Sequence, residues 1–217
     1  MISEKVKAVL FDLDGTLLDT LEDLSTSVNH ALAAYGLPLR NKSEIRSFLG
    51  NGIRHLMKCA VPSDTDDSLF ENIFICFRSY YILHCLDQTR PYKGIMTLLK
   101  TLQEENIKMA VISNKLHPAV VELNERFFKE YITLAVGESD TIHRKPDPSA
   151  VLAALRELQV SPLEAVYVGD SEVDIETARN AGTRCIAVTW GFRNEPELMA
   201  AGATEVINRP EELPEKL

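Results

Sequence analysis

The chain has 217 residues, 45% of them hydrophobic and 25% charged, a composition typical of a globular protein with one large domain or a core carrying a small insert. Its net charge of −9 and its pI near 5.1 argue against a nucleic-acid partner, because nucleic-acid binding requires a basic surface. The same charge does not exclude a phosphate substrate, because a few local cations and backbone amides can outweigh a distant acidic surface.

The N-terminus and the cysteines predict a cytoplasmic protein without a membrane partner. Residues 1–7 lack the apolar stretch of a signal peptide, and no apolar run is long enough to span a bilayer. None of the cysteines forms a CxxC pair, so we expect buried free thiols in a reducing compartment rather than disulfides or zinc. The cysteines are Cys59, Cys76, Cys85 and Cys185.

The first part of the chain predicts one strand followed by helices. Val6 to Phe11 is a short apolar run that ends in acids, as in a buried strand whose carboxyl end carries chemistry. Helical periodicity follows from Leu21 to Tyr35 and stops at Gly36 and Pro38. Further helices are predicted over residues 43–49, 53–60 and 68–86, the last with an apolar stripe of Leu69, Ile73, Phe77, Tyr80 and His84.

After Arg90 and Pro91 the pattern alternates between helix and strand. The predicted strands are residues 108–112, 133–136, 165–168, 185–188 and 205–207, and the predicted helices are 95–104, 118–128, 148–158, 174–181 and 197–201. This alternation predicts an α/β fold with a doubly wound, parallel, Rossmann-like sheet. We expect an α/β core, residues 1–17 and 88–217, with a small inserted helical cap domain, residues 18–87.

Polar residues follow the predicted strands, where ligands bind in such sheets. The combination provides acids, a cation and small polar residues near helix starts, which is what phosphoryl transfer needs. Three segments follow strands, Asp12 to Thr16, Ser113-Asn114 and Gly169 to Ser171, and the loop before the helix at Pro148 supplies Lys145 to Asp147.

The acids also predict a Mg²⁺ site. Asp12 and Asp14 are two residues apart, so their side chains point the same way in an extended chain. Mg²⁺ prefers oxygen ligands. Asp12 and Asp170 are expected to supply carboxylates, with Asp174 in support, directly or through water; Asp174 also suits a first-turn helix acid favoured by the dipole. A divalent ion removes the repulsion between these acids and a phosphate.

Four motifs together resemble the haloacid dehalogenase superfamily. DLDGTLLDT at residues 12–20 is similar to its first motif, Ser113-Asn114 to its second, Lys145 in RKPDP to its third, and GDSEVD at residues 169–174 to its fourth. They occur in the family's order and extend across the core. The helical insert after the first motif is similar to the small cap of the phosphoglycolate phosphatase-like branch.

The resemblance implies a role for each matching residue. Asp12 is the nucleophile that forms an aspartyl-phosphate, and Asp14 protonates the leaving oxygen and then activates water. The Asp14 carbonyl joins the side chains of Asp12 and Asp170 around Mg²⁺, and Asp174 orients or completes that shell. Ser113, the Asn114 amide and Lys145 hold the phosphoryl oxygens. These roles imply a Mg²⁺-dependent phosphatase acting on a small phosphorylated metabolite. The sequence leaves a monomer and a homodimer both open.

Substrate selection is expected in the cap. Gly50, Asn51 and Gly52 resemble a cap loop that faces the active site in this branch, although they also suit a simple helix–helix turn. Arg54 just after this loop, and Arg40 and Arg46 before it, are candidates to meet a substrate carboxylate, although each also suits a solvated helix face. The aromatic stripe Phe70, Phe74, Phe77 and Tyr81 favours cap core over a ligand site.

Other activities of the superfamily remain open. Asp14 argues against a dehalogenase or a phosphonate hydrolase, which usually lack that acid. A sugar phosphomutase shares the core residues, and inorganic pyrophosphate or a nucleotide is a possible substrate. A non-catalytic binding protein on the same scaffold is a further alternative, because fold does not fix function; such a protein could dispense with the acids.

Overall fold

The structure is a computed structural model that describes residues 5–139 and 141–217. Within these ranges, none of the helices combines the length and the hydropathy needed to cross a membrane. Residue contacts divide the chain into two compact units, one of which is Leu18–Arg90 while the rest of the chain forms the other. The second boundary lies between Arg90 and Pro91, where the sequence analysis placed it between residues 87 and 88.

The larger unit, here called the core, is built on a six-stranded parallel sheet. The strand order is β5-β4-β1-β6-β7-β8, so β1 lies at the centre and every pairing in the sheet is parallel. The predicted α/β class is therefore confirmed. The strands are β1 Ala8–Phe11, β4 Lys108–Leu116, β5 Leu134–Glu138, β6 Ala165–Gly169, β7 Arg184–Val188 and β8 Val206–Ile207.

The helices between these strands confirm the predicted alternation. In two of them the structure begins two residues earlier than predicted, because Ser171 and Asn194 form capping boxes that start the helix ahead of its apolar pattern. The core helices are α5 Ile95–Glu104, α6 His117–Phe127, α7 Ser149–Leu158, α8 Glu172–Ala181 and α9 Glu195–Ala200.

Strand β4 differs most from its prediction. The sequence analysis ended it at Ile112, but the structure continues it to Leu116, which pairs with Glu138 after a register irregularity. The apolar pattern stops at Ser113 although the backbone ladder resumes beyond it. The polar triplet Ser113–Lys115 therefore belongs to an irregular part of a strand rather than to a following loop.

The smaller unit, here called the helical unit, consists of four helices. Two short strands where the chain enters and leaves it, β2 Leu18–Asp19 and β3 Arg90–Pro91, pair with each other. Asn41 and Asp66 cap their helices through side-chain oxygens. The helices are α1 Leu21–Ala34, α2 Lys42–Phe48, α3 Gly52–Ala60 and α4 Asp67–His84.

The stripe predicted for α4 was partly wrong. Ile73 and Phe77 are buried, but Leu69, Tyr80 and His84 are only half-buried. The ring of Tyr80 stacks between His30 and His84, with centroids 3.8 and 4.1 Å away. The buried face instead carries the aromatic stripe, whose rings pack against one another and confirm its place in the hydrophobic core. That face consists of Phe70, Ile73, Phe74, Phe77 and Tyr81.

The cysteines are free thiols as expected, but they are half-buried rather than buried. Cys76 lies on α4 next to the exposed Ile75, at the margin of the buried aromatic face. On β7, burial raises the pKa of the Cys185 thiol to about 12, so this thiol is neutral and unreactive at neutral pH.

A buried carboxylate, Asp23, closes the helical unit. Asp23 is 3% exposed, and its oxygens accept hydrogen bonds from the backbone N–H of Gln88 at 2.9 Å and of Thr89 at 2.8 Å. These bonds connect the first turn of α1 to the last residues of the unit, 65 and 66 positions along the chain. Asp23 thereby fastens the end of the unit to its beginning.

We expect Asp23→Ala to lower the free energy of unfolding by about 1–3 kcal/mol, because it leaves buried N–H groups unsatisfied. Thermal or urea unfolding of the purified protein measures this change. Glu22→Ala is the matched control, because Glu22 carries the same charge on the same turn but makes an exposed ion pair with Lys42, and we expect it to cost under about 1 kcal/mol. Equal losses in the two variants would contradict the role given to Asp23.

Candidate active site

The candidate active site begins where β1 ends in the middle of the sheet. The Asp12 N–H donates to the carbonyl of Val168 on β6 at 2.9 Å, so Asp12 continues the ladder before the chain turns away. Asp12 is 7% exposed. Gly15 turns the chain with a φ of +93°, and a Cβ on it would lie 2.4 Å from the Asp170 carboxylate. Glycine is therefore required there by both conformation and space.

The Asp170 carboxylate is fixed by the loop after β1 and the loop after β7. Thr16 Oγ1 donates to Oδ1 at 3.2 Å, and the Phe192 N–H donates to Oδ2 at 2.6 Å. The Trp190 indole N–H donates to the Thr16 carbonyl at 2.9 Å and connects these two loops. The sequence analysis included Thr16 only as part of the segment after β1, and it did not identify Trp190 or Phe192, although the rule that ligands bind at strand ends also applies to β7.

Lys145 lies at the centre of the buried charges. Its Nζ donates to Asp12 Oδ1 at 2.7 Å, to Asp174 Oδ1 at 2.6 Å and to Tyr167 Oη at 3.0 Å. These three bonds use all three N–H groups of the ammonium. The Tyr167 hydroxyl is also within 3.3 Å of the Ile112 carbonyl on β4. No pattern in the sequence distinguishes Tyr167, because a tyrosine in an apolar strand resembles any other core residue.

Burial and mutual repulsion raise the pKa values of two of the acids. Burial, together with the charge of Asp174 and despite the attraction of Lys145, raises the pKa of Asp12 to about 7. Burial and the charges of Asp174 and Asp12 hold the pKa of Asp170 well above its usual range. For Lys145, burial favours the neutral amine, but the carboxylates of Asp12 and Asp174 outweigh it and raise the pKa well above the usual range. Lys145 is therefore a permanent cation.

Asp174 accepts more hydrogen bonds than either Asp12 or Asp170. Its Oδ1 contacts Lys145 and Tyr167, and its Oδ2 accepts from the N–H of Ser171 at 3.1 Å and from the Ser171 hydroxyl at 2.6 Å. A carboxylate offers about four acceptor positions. Lys145 and Ser171 use three of them, and the fourth is used when the single Tyr167 hydroxyl proton points to Asp174 rather than to the Ile112 carbonyl. Asp174 is thus both a helix-capping acid at the start of α8 and a member of the charged cluster.

The described acids fit a small divalent cation. Carboxylate oxygens of Asp12, Asp170 and Asp174 lie within 4.8 Å of one another, and all three residues are buried. Burial, the largest cause, and the neighbouring carboxylates raise the pKa values of Asp12 and Asp170, and a cation bound between these acids would favour their charged forms. Carboxylate oxygens are the ligands that Mg²⁺ prefers. Asp12 and Asp170 keep more acceptor capacity than Asp174, which suits direct ligation by the first two.

The residues predicted to bind phosphate lie in one buried group. Ser113 and Asn114 are 6% and 8% exposed, and Lys145 is 6% exposed. The Asn114 side chain accepts from the Lys145 N–H at 2.7 Å and donates to the Lys145 carbonyl at 3.2 Å. This pair of bonds joins β4 to the loop before α7, so the two predicted phosphate-binding segments are held together.

Asp14 has a partner that the sequence analysis missed. The Nζ of Lys115 donates to both carboxylate oxygens of Asp14, at 2.8 and 2.9 Å. The side chain of Lys115 is 4% exposed and that of Asp14 is 21% exposed. In sequence, Ser113-Asn114-Lys115 resembles phosphoglycolate phosphatase-like members of the family, but nothing in the pattern indicates which side chain the lysine contacts.

The predicted substrate-binding residues of the cap all lie in the helical unit. Gly50 and Gly52 have φ values of +109° and +75° on either side of Asn51, which precedes α3. The Arg54 guanidinium forms an ion pair with Glu71 on α4 and lies 5.2 and 5.1 Å from the ring centroids of Phe70 and Phe74. These contacts give Arg54 a packing role in the unit in addition to the binding role expected from the sequence.

The family model described as haloacid dehalogenase-like hydrolase matches residues 9–188. The match extends from β1 to the end of β7 and contains every acid of the buried cluster. The chain belongs to the haloacid dehalogenase-like hydrolases. The resemblance inferred from the four motifs is confirmed, and so is the assignment of the chain to the enzymes of this family.

Curated relatives support a phosphoglycolate phosphatase-like hydrolase. Phosphoglycolate phosphatase 1 of Pseudomonas aeruginosa is 32% identical over 214 residues, covering 95% of this chain and 78% of the relative. The N-acetylmuramic acid 6-phosphate phosphatase of the same organism is also 32% identical, over 211 residues that cover 96% of this chain and 93% of that protein. The relatives thus agree on phosphatase chemistry but differ in substrate.

Solved structures agree with the family. A crystal structure from Lactobacillus delbrueckii subsp. bulgaricus, provisionally named a phosphoglycolate phosphatase, superposes with a TM-score of 0.93 at 35% identity and covers 98% of both chains. The structure of CbbY from Rhodobacter sphaeroides in complex with phosphate gives a TM-score of 0.76 at 27% identity, covering 96% of each chain.

If the buried carboxylates hold Mg²⁺, the metal will stabilise the folded protein. At a concentration about 100 times its Kd, a ligand adds about 2.7 kcal/mol, which raises the Tm by several degrees. We expect Mg²⁺ to raise the Tm of the wild type and to have little effect on Asp170→Asn. Glu176→Gln is the control, because Glu176 is an exposed acid on the same loop-and-helix segment. An undiminished shift in Asp170→Asn would place the ion elsewhere.

Proposed function

We propose that the chain is a Mg²⁺-dependent phosphatase that hydrolyses small phosphate monoesters, phosphoglycolate-like acids among them, through an aspartyl-phosphate on Asp12. The observation that carries the proposal is the contact of one buried ammonium, Lys145, with both Asp12 and Asp174, beside Asp170. The ammonium offsets the negative charge of the nucleophile, so that a negatively charged phosphoryl group can approach it.

In the first step, an Asp12 oxygen forms a bond to phosphorus while the bond from phosphorus to the ester oxygen breaks. The leaving oxygen takes a proton from Asp14. In the second step, Asp14 takes a proton from water, the water oxygen attacks phosphorus, and inorganic phosphate leaves with Asp12 restored. Ser113 and the Asn114 amide hold the phosphoryl oxygens during both steps, and Lys145 joins them by exchanging one of its three present hydrogen bonds for a phosphoryl oxygen. When bound by the acids, Mg²⁺ supplies positive charge that offsets the phosphoryl charge.

The names of the relatives indicate a substrate class. Phosphoglycolate and N-acetylmuramic acid 6-phosphate both combine a phosphate ester with a carboxylate. A sugar acid phosphate is a second candidate, because the N-acetylmuramic acid 6-phosphate phosphatase is as similar to this chain, at 32% identity, as phosphoglycolate phosphatase 1 is. A screen of phosphorylated acids and matched neutral phosphates, scored by kcat/KM, tests this class directly.

For selectivity we propose the helical unit, in particular the loop Gly50, Asn51 and Gly52 with Arg54. The core residues bind the phosphoryl group, which all such substrates share, so discrimination must come from residues that contact the leaving group. The positive φ values of the two glycines give the loop a defined shape around Asn51. Arg54 supplies a cation suited to a substrate carboxylate, although Glu71 already forms an ion pair with it.

Replacement of the nucleophile tests the covalent mechanism. Asp12→Asn is nearly isosteric but removes the attacking oxygen and a metal ligand, so we expect kcat to fall by at least about a thousandfold with the fold retained. Steady-state kinetics with an aryl phosphate and a thermal melt measure the two effects. Asp147→Asn serves as control, because Asp147 is a loop acid whose oxygen accepts from Ser149 outside the cluster. An Asp12→Asn activity within about tenfold of wild type would reject the nucleophile.

Substitutions in the helical unit test selectivity. We expect Asn51→Ala and Arg54→Ala to lower kcat/KM for the best phosphorylated acid by roughly ten- to a hundredfold, and for a small aryl phosphate much less. Glu71→Gln is the matched control for Arg54, because it removes the ion-pair partner but keeps the guanidinium. If Glu71→Gln and Arg54→Ala each lower kcat/KM equally for the phosphorylated acid and for the aryl phosphate, Arg54 supports stability and the selective residues lie elsewhere.

A further inference from the structure

Lys115 is a charged residue in a nearly fully buried position. Its side chain is 4% exposed, and its ammonium donates to both oxygens of the Asp14 carboxylate. A buried ammonium is tolerated only when it is paired and hydrogen-bonded. The pair joins β4 to the loop after β1, and these two strands are direct neighbours in the sheet.

The backbone around Lys115 is held on both sides. Its N–H donates to Ser113 Oγ at 3.2 Å, and the preceding residue, Asn114, is bonded to the Lys145 backbone through its side chain. On β5, Gly137 packs so closely that a Cβ there would lie 2.5 Å from the Lys115 carbonyl. The base of the lysine side chain is therefore fixed, and its ammonium has a defined position.

We propose that Lys115 is a positioning residue that fixes the direction of the Asp14 carboxylate for proton transfer. The inference rests on the proposed function, in which Asp14 is the acid and base. A carboxylate on a loop can rotate about its side-chain torsions, and a contact through both oxygens removes that freedom. Correct orientation of a reacting group contributes strongly to rate. Lys115 keeps its own protons throughout, and only Asp14 exchanges a proton with the leaving oxygen or with water.

The contact leaves Asp14 able to react. Each carboxylate oxygen has two acceptor directions, and Lys115 occupies one on each oxygen. The side chain of Asp14 remains 21% exposed, whereas that of Lys115 is 4% exposed. The lysine is therefore shielded from solvent while the carboxylate that it orients stays partly accessible. In this arrangement Lys115 acts through Asp14 and does not bind the substrate.

A double-mutant cycle in the full-length protein separates these roles. We expect Lys115→Met to lower kcat for an aryl phosphate with Mg²⁺ by roughly ten- to a hundredfold, with KM within about twofold. In the Asp14→Asn background the same substitution should change kcat by less than about threefold, because the residue through which Lys115 acts is already lost. Lys115→Arg keeps the charge but moves the hydrogen-bond donors. If Lys115→Met does not fold, Lys115→Arg replaces it, and it should lower kcat in the wild-type background but hardly change kcat in the Asp14→Asn background.

Lys129→Met is the control, because Lys129 is an exposed lysine of the same unit, and its kcat should equal that of the wild type. Equal losses of kcat in the wild-type and Asp14→Asn backgrounds would overturn the proposal. So would a large increase in KM with kcat preserved, because that result means direct substrate binding by Lys115. Wild-type protein that turns over no phosphate ester would instead reject the proposed function, so the two failures are distinguishable.

Discussion

The compensation of buried charge by Lys145 is the constraint on which the rest of the site depends. Several carboxylates at the end of a central strand repel one another, and burial magnifies that repulsion. The ammonium of Lys145 offsets part of it by contacting Asp12 and Asp174 at once. Tyr167 takes the third N–H of the ammonium and thereby sets its orientation. The position of the nucleophile is thus a result of charge balance as much as of backbone geometry.

The same charge balance organises the segments that carry the site. Four segments that lie far apart in sequence share hydrogen bonds through Lys145 and Asn114. They are β1, the irregular end of β4, the loop before α7 and the start of α8. Each segment satisfies polar groups that another segment would otherwise leave unpaired. Such mutual satisfaction makes a buried polar network rigid, because loss of one member leaves the others unpaired.

The sequence predicted the architecture well because strand and helix patterns were clear. The alternation after Arg90, the parallel sheet and the acids at strand ends follow from local rules, and the structure brings Asp12, Asp170 and Asp174 together as expected. The side chains that contact those residues were harder to predict from the sequence. Tyr167 lies within an apolar run, and Lys115 lies in a strand whose apolar pattern had already ended. Their roles arise from tertiary contacts that single-sequence periodicity does not encode.

The helical unit shows where a periodic pattern is ambiguous. On α4, apolar and aromatic residues occur at more than one helical spacing, and the burial of the Phe70, Phe74, Phe77 and Tyr81 face was decided by packing. In the core, three glycines lie directly beside the buried acids. A methyl group at Gly15, Gly169 or Gly191 would lie 2.2–2.4 Å from an acid or its supporting backbone. A side chain at any of these three positions would therefore displace the acids. A mutational scan limited to charged and polar residues would overlook these glycines, and a sequence-diversified library should leave them unchanged.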